Sequence, residues 1–256
     1  MPSPTDTPSG EATSPGSDDA AWLRSTPLID LGDPKLRLKA QSLTQLCRTP
    51  REQALALYGY VKRIPYTKPL KLQPHSARSV IEAGVGDAPD KAALLVGLLR
   101  LAGIPTRMHC YELRGDILRG LTNGLSSIMR AVVEVKLDGG WIGTDTYVYD
   151  APYVAAARDQ MALNGWDYGY GIHRDGHRLW NASESVYLNA CAPEHDPLVL
   201  RDMGVFVDEN ELVNSESFTH SPLLRLARWD TLAPGINRAV RALREQAPGR
   251  AASRSA

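Results

Sequence analysis

The sequence predicts an α+β fold in which a helix packs on an antiparallel sheet. A capped helical segment at residues 87–103 is followed by a β-rich strand at 106–113, and two further β-rich runs flank an Asp-Gly-Gly turn at 138–140. Helix followed by antiparallel strands builds a two-layer core, because each element buries an apolar face against the other. With 256 residues, of which 43% are hydrophobic, the chain is long enough to form such a core.

The central helix has sequence signals at both ends. Asp87 is a good N-cap with Asp90 three residues further on, and Pro89 lies in the first turn, where its missing N–H has no helical partner to lose. Gly103, which precedes an Ile-Pro pair, ends the pattern. These signals predict a helix of about 15 residues.

Further helices are predicted before and after this core. Residues 36–61 have a helical pattern that restarts at Pro50, and a short helix is predicted at 77–84. The predicted organisation is a disordered tail at 1–20, one domain at 21–235, and a closing amphipathic helix with a frayed basic tail at 236–256.

Composition argues against several classes of protein. Lys plus Arg and Asp plus Glu each number 29, so the formal net charge is +0 and no global field attracts nucleic acid or an anionic membrane. No apolar run approaches the ~18 residues of a membrane span, and the N-terminus lacks the pattern of a signal peptide. The three cysteines (Cys47, Cys110 and Cys191) have no disulfide or metal-ligand spacing. We therefore expect a cytoplasmic protein without metal or cofactor, and the sequence predicts no oligomeric state.

Several motifs follow one another in the order and spacing of a known family. They are IPY at 64–66, GVGD at 84–87, LLRLAGIPTR at 98–107, VEVKLDGGWIGTDTY at 133–147 and GYGIHRDGHRLW at 169–180. Together they resemble a bacterial branch of the transglutaminase-like, papain-related superfamily of thiol acyltransferases and peptidases, over roughly residues 45–185. The resemblance implies a papain-like two-layer fold.

The resemblance also implies a Cys–His–acid site, of which one member is retained. In the family a Cys stands at the start of the helix, where the helix N-terminus and a neighbouring His lower its pKa; the matching residue is Ala88. The family's His matches Arg130, and the acidic residue on the return strand is Asp145. Ala88 has no nucleophilic atom and Arg130 keeps its proton near neutral pH, so the family's thiol mechanism is chemically unavailable.

The candidate catalytic residues around the vacated nucleophile position are Arg130, Asp145 and Asp87. Arg130 and Asp145 face each other across the predicted hairpin and form either a structural ion pair or an anchor for a carboxylate, phosphate or enolate oxygen. Asp87 is either a helix cap alone or a general acid/base. Glu134 faces the same way as Arg130 by strand alternation and is a candidate substrate contact.

Aromatic residues are concentrated downstream of the hairpin in a chain that is only 7% aromatic. They either pack in the core and sheet or line a pocket for an apolar or conjugated small molecule. The candidate substrate-binding residues among them are Tyr147, Tyr149, Trp166, Tyr168 and Tyr170, with Trp180 close by in the sequence.

Two pairs of residues resemble reactive sites but have simpler explanations. Cys110 and His109 are adjacent on a strand, so their side chains point to opposite faces, and Cys110 is expected to be a buried structural thiol. His173 and His177 have the i,i+4 spacing of helical metal ligands, but the Arg-Asp-Gly between them predicts a turn.

Three functions stay open at this stage. The leading hypothesis is a repurposed non-thiol enzyme that cyclises, isomerises or condenses a small bacterial metabolite, polyketide- or peptide-derived, in natural product biosynthesis. The second is a non-catalytic binding or regulatory protein that holds a peptide or acyl group. The third is an amidase or acyltransferase that uses Cys110 as a displaced nucleophile. An open cleft around Arg130 and Asp145 favours the enzyme, and a cleft filled by side chains favours the binding protein.

Overall fold

Helices come first in the chain and the strands follow. In the computed structural model, which describes residues 17–70, 74–219 and 231–246, the helices before the sheet are α1 (Ser17–Ala21), α2 (Pro34–Thr44), α3 (Pro50–Arg63), α4 (Ala77–Ala83) and α5 (Ala88–Leu101). The strands are β1 (Thr106–Arg114), β2 (Ser127–Leu137), β3 (Gly140–Thr144), β4 (Tyr168–Gly169), β5 (Ile172–His173) and β6 (Val199–Phe206). The other helices are α6 (Ala151–Asn164), α7 (Glu209–Val213), α8 (Glu216–Thr219) and α9 (Ala233–Glu245). Within the described ranges, no helix is long and apolar enough to cross a membrane.

Helix α5 begins and ends where its sequence signals predict. The Asp87 carboxylate accepts the Asp90 N–H at 3.2 Å, and the Asp90 carboxylate accepts the Asp87 N–H at 3.1 Å, which together form a capping box. Every residue from Asp90 to Arg100 is buried. Because α5 contacts α2, α3 and α4 as well as β1 and β2, it lies at the centre of the core.

The larger sheet is antiparallel, with strand order β3-β2-β1-β6, and it confirms the predicted α+β class. Tyr111 of β1 is paired with Arg130 of β2. Side chains alternate along a strand, so Cys110 points into the core beside α5, whereas His109 and Tyr111 point to the opposite face. We call that opposite side the outer face of the sheet.

The return strand of the hairpin is shorter than predicted. The β-rich run after the turn predicts a strand that continues to residue 149. This prediction is wrong, because β3 ends at Thr144. The Asp145 carbonyl then accepts the Val148 N–H at 3.1 Å in a turn, and Asp150 is the N-cap of α6. The turn and the cap use backbone groups that a longer strand would have paired with β2.

Helical residues occur at both ends of the described chain. Residues 17–20 were predicted to belong to a disordered tail but lie in α1, where Asp19 Oδ1 is 2.6 Å from Lys136 Nζ. The rest of that tail, 1–16, and the basic tail, 247–256, lie outside the described residues. α9 packs against α6, and its Arg244 forms an ion pair with Asp150. Its buried residues are Ala233, Ile236, Val240 and Leu243.

The central position of α5 predicts a large effect of truncating its side chains. Leu95→Ala should lower the free energy of unfolding by about 2–5 kcal/mol, because Leu95 is fully buried and its loss leaves a cavity. Leu38→Ala in α2 is the matched control, since Leu38 is 67% exposed and its loss should change the free energy by only about 0.5 kcal/mol. Urea denaturation measures both values, and equal losses would contradict the buried position of Leu95.

Candidate functional site

Ala88 is the first residue of α5 and is surrounded by charged side chains. It is partly exposed, and the Asp87 carboxylate beside it is buried. Lys68 Nζ lies 3.2 Å from Asp87 Oδ2, and both side chains are almost fully excluded from solvent. On the next turn, Asp90 Oδ1 lies 3.4 Å from His75 Nδ1. Asp87 therefore caps the helix and forms an ion pair, and the methyl group of Ala88 offers no nucleophile.

The cysteines do not replace a nucleophile at this position. The Cys110 thiol is fully buried, and this burial strongly raises its pKa, so it stays protonated. Cys191 is partly exposed, but desolvation and the charge of Asp196 raise its pKa as well. Neither thiol has the lowered pKa of an activated nucleophile.

Arg130 is buried, and its guanidinium group contacts three groups of the protein. Its Nη1 atom lies 3.4 Å from Asp145 Oδ2 and donates a 2.8 Å hydrogen bond to Asn189 Oδ1. Its Nη2 atom donates to the carbonyl of Gly171. Burial raises the pKa of the Asp145 carboxyl, although Arg130 and the Leu188 N–H, which donates at 2.6 Å, both act to lower it. Arg130 and Asp145 thus form the predicted ion pair inside the protein.

Buried tyrosine rings pack together close to the start of α5, where Tyr66 is paired with Gly86. Tyr149 stacks on Tyr153 with ring centroids 4.5 Å apart and contacts Tyr66 at 4.7 Å. The phenols of Tyr66 and Tyr149 both interact with the charges of Asp87 and Arg130. Burial raises the pKa of Tyr149 to about 12, so the phenol is neutral. We call Tyr66, Tyr149 and Tyr153 the tyrosine cluster; all three are buried.

The other predicted aromatic residues do not join this cluster in one pocket. Tyr147 is fully buried, and its hydroxyl donates to the Ala131 carbonyl at 2.9 Å. Trp166, Tyr168 and Tyr170 form a separate group: the Arg119 guanidinium lies 4.1 Å from the Trp166 ring and 5.2 Å from that of Tyr168, and Trp166 stacks on Tyr170 at 6.1 Å. Trp180 packs edge-on against the Tyr58 ring at 5.5 Å.

Glu134 also lies apart from Arg130. It is on the outer face, where it accepts a 2.6 Å hydrogen bond from Arg107 Nε and lies 3.1 Å from His109 Nδ1. Strand alternation predicted its face correctly but not these partners, because β1 comes from a different part of the chain. His109, Tyr111 and Lys68 were not among the predicted site residues.

A small pocket opens on the outer face beside Arg130. Its volume is about 10 Å³, which is room for about one water molecule. Apolar side chains such as Leu113 and Val132 form part of its wall. The polar residues that line it are Tyr111, Arg130, Asp145, Tyr187 and Asn189.

The described residues do not bring metal ligands together. No group of three or more His, Cys, Asp or Glu side chains in those ranges could hold a metal ion. His173 lies in β5 and His177 in the loop after it, so the pair does not have the helical geometry of i,i+4 ligands.

The family model of the transglutaminase-like superfamily matches residues 37–146, which include Ala88, Arg130 and Asp145. This confirms the resemblance in the sequence. Comparison with curated proteins gave no match.

Two solved structures are similar to this chain at low identity. One is a candidate cysteine protease from Cytophaga hutchinsonii, with 20% identity and a TM-score of 0.41. The alignment covers 49% of this chain and 40% of that one. The other is a candidate protease from Parabacteroides distasonis, with 18% identity and a TM-score of 0.35 over 49% of this chain and 24% of that one. The chain therefore spans less than half the length of either protein.

The buried ion pair between Arg130 and Asp145 predicts a stability effect. Arg130→Met should lower the free energy of unfolding by about 3–5 kcal/mol, because Asp145 is left as an uncompensated buried charge. Adding Asp145→Asn should cost less than the sum of the two single changes, as a double-mutant cycle by chemical denaturation would measure. Arg114→Met is the control, since the Arg114–Asp116 pair is exposed and contributes about 0–1 kcal/mol. If the losses of unfolding free energy in Arg130→Met and Asp145→Asn were additive, the two side chains would not interact.

Proposed function

We propose that the transglutaminase-like domain is a non-catalytic binding or regulatory protein. The observation that carries the proposal is the tyrosine cluster, whose three buried rings pack against one another, with Tyr66 paired to Gly86 just before α5. A substrate needs an accessible cleft beside the reacting groups, and side chains take up that space here.

The chemistry of the vacated position supports the same proposal. An alanine at the start of α5 has no atom for nucleophilic attack, and Arg130 has no lone pair with which to accept a proton. Its guanidinium already contacts Asp145, Asn189 and the Gly171 carbonyl. An anchor for a substrate oxygen would need free N–H donors, and three of the five donors of this guanidinium already have partners in the protein.

The partner that fits this proposal is a peptide, an acyl group or another small molecule bound locally. A formal net charge of +0 gives no general attraction to nucleic acid or to an anionic membrane. Recognition therefore depends on individual groups at the surface rather than on an overall field.

A second candidate is the non-thiol enzyme, and the pocket on the outer face favours it. Arg130 and Asp145 both line this pocket, together with the partly exposed phenol of Tyr187. In this proposal, these groups cyclise, isomerise or condense a small bacterial metabolite in natural product biosynthesis. The pocket would have to open, because its volume of about 10 Å³ admits only a water-sized group.

Restoring the thiol should not restore acyl transfer. The test uses a Cys191→Ser background, which removes a partly exposed thiol. In this background, we expect Ala88→Cys and Ala88→Cys/Arg130→His to hydrolyse p-nitrophenyl acetate without a burst above that of the background protein. The single variant lacks a general base, and the tyrosine cluster still fills the cleft in the double variant. Circular dichroism establishes that each variant is folded. A stoichiometric burst in the single variant would overturn the role given to Arg130, and a burst in the double variant would overturn the filled cleft.

Metabolite comparison separates the two candidates. If the protein only binds, no precursor should accumulate in a deletion strain. Both Tyr187→Phe and Tyr60→Phe should then complement any phenotype of that strain fully. If the protein is an enzyme, a precursor should accumulate in the deletion strain. Wild type and Tyr60→Phe should remove it but Tyr187→Phe should not, because Tyr187 lines the pocket and Tyr60 does not. Native mass spectrometry of the protein isolated from its own cells then tests the leading proposal directly, since a bound peptide or acyl compound is expected.

A further inference from the structure

His109 on the outer face is held by carboxylates from two neighbouring strands. Its Nδ1 atom lies 3.1 Å from Glu134 Oε1 on β2, and its Nε2 atom lies 2.9 and 3.0 Å from the two carboxylate oxygens of Asp202 on β6. A protonated imidazole has an N–H donor on each nitrogen and can donate a hydrogen bond to both carboxylates, whereas a neutral ring can donate to only one. The position therefore favours the charged form of His109.

The same Nδ1 atom has a second partner that suits the neutral ring. The Tyr111 hydroxyl lies 2.9 Å from Nδ1, and the two rings stack with centroids 4.4 Å apart. A hydroxyl can donate to Nδ1 only when that nitrogen carries no proton. Glu134 does not lose its last partner in that state, because Arg107 Nε donates to its other oxygen at 2.6 Å.

We propose that His109 is a proton-operated switch that exchanges Glu134 for Tyr111 as the hydrogen-bond partner of its Nδ1 atom. In the charged state Nδ1–H donates to Glu134; in the neutral state the Tyr111 hydroxyl donates to Nδ1. Nε2–H donates to Asp202 in both states, so β6 stays attached to β1. Tyr111 also lines the pocket beside Arg130, so the switch changes the hydrogen bonding of a pocket residue.

The charged groups around His109 determine the direction of the pH dependence. Burial alone lowers the pKa of His109, but the hydrogen bonds and charges of Glu134 and Asp202 outweigh burial and raise it. Arg107 faces Glu134 from β1, and the charge of Glu194 acts on Tyr111 from the turn before β6. Because the folded pKa is raised, the stabilisation is complete below the unfolded value of about 6.5 and is lost as the pH rises through the folded value.

Substitutions at the two partners of Nδ1 should move the measured pKa of His109 in opposite directions. Tyr111→Phe removes a bond made only to the neutral ring and should raise that pKa by about 0.4–1 unit. Glu134→Gln removes a charge that favours the protonated ring and should lower it. Tyr60→Phe is the control and should leave the pKa of His109 unchanged, since Tyr60 lies on α3 beside Arg63 and Lys39 and is not a partner of His109. NMR titration of the imidazole, assigned with His109→Gln, measures each value.

The unsubstituted protein provides a test that does not depend on folding of the variants. Above the pKa of His109, the ring should carry its proton on Nε2, because Nδ1 accepts from Tyr111; the ¹⁵N chemical shifts of the two ring nitrogens report this. A neutral ring with its proton on Nδ1 would overturn the proposal. So would a Tyr111→Phe protein whose His109 pKa is unchanged or lowered.

Discussion

The ion pair between Arg130 and Asp145 organises this part of the protein, because both side chains are buried and each charge must be satisfied largely by the chain. Arg130 reaches the Gly171 carbonyl next to β5 and the Asn189 amide further along the chain. Asp145 accepts the backbone N–H of Leu188. One buried pair thus holds two distant segments against the end of the hairpin. Removal of either charge affects all of these contacts, since the remaining partner stays buried.

Other buried charges in this fold serve the same purpose of holding irregular backbone. Lys62 donates to the carbonyls of Thr146 and Tyr149, and Lys91 donates to the carbonyl of Ile64. Burial lowers the pKa of Lys62 to about 8, against the opposing charges of Asp150 and Asp145. A shifted pKa is often a sign of a catalytic group. Here the shift comes from burial beside backbone carbonyls, so it indicates a structural role.

The sequence predicts the regular elements well and the site only partly. The Asp87 capping box, the restart at Pro50 and the β1–β2 pairing follow from local signals, so they could be read along the chain. The nearness of Arg130 and Asp145 was also expected from the predicted hairpin, although the sequence left open whether they form a structural ion pair or a substrate anchor. Asn189 could not be found in this way, since no local pattern links it to residue 130. The grouping of the aromatic residues could not be found for the same reason: the sequence allowed either core packing or a pocket, and the fold divides these residues into separate groups.

The two sides of Tyr111 differ in how their polar groups are used. Towards Arg130, the donors and acceptors have fixed partners, and protonation changes are opposed by burial. Towards His109, one imidazole nitrogen lies within hydrogen-bond distance of both a carboxylate and a hydroxyl, so its partner depends on the proton. A group that has partners in both protonation states can change charge without leaving a buried atom unsatisfied. Responsiveness to solution conditions is therefore located on the His109 side of Tyr111, whereas the groups on the Arg130 side keep one set of partners.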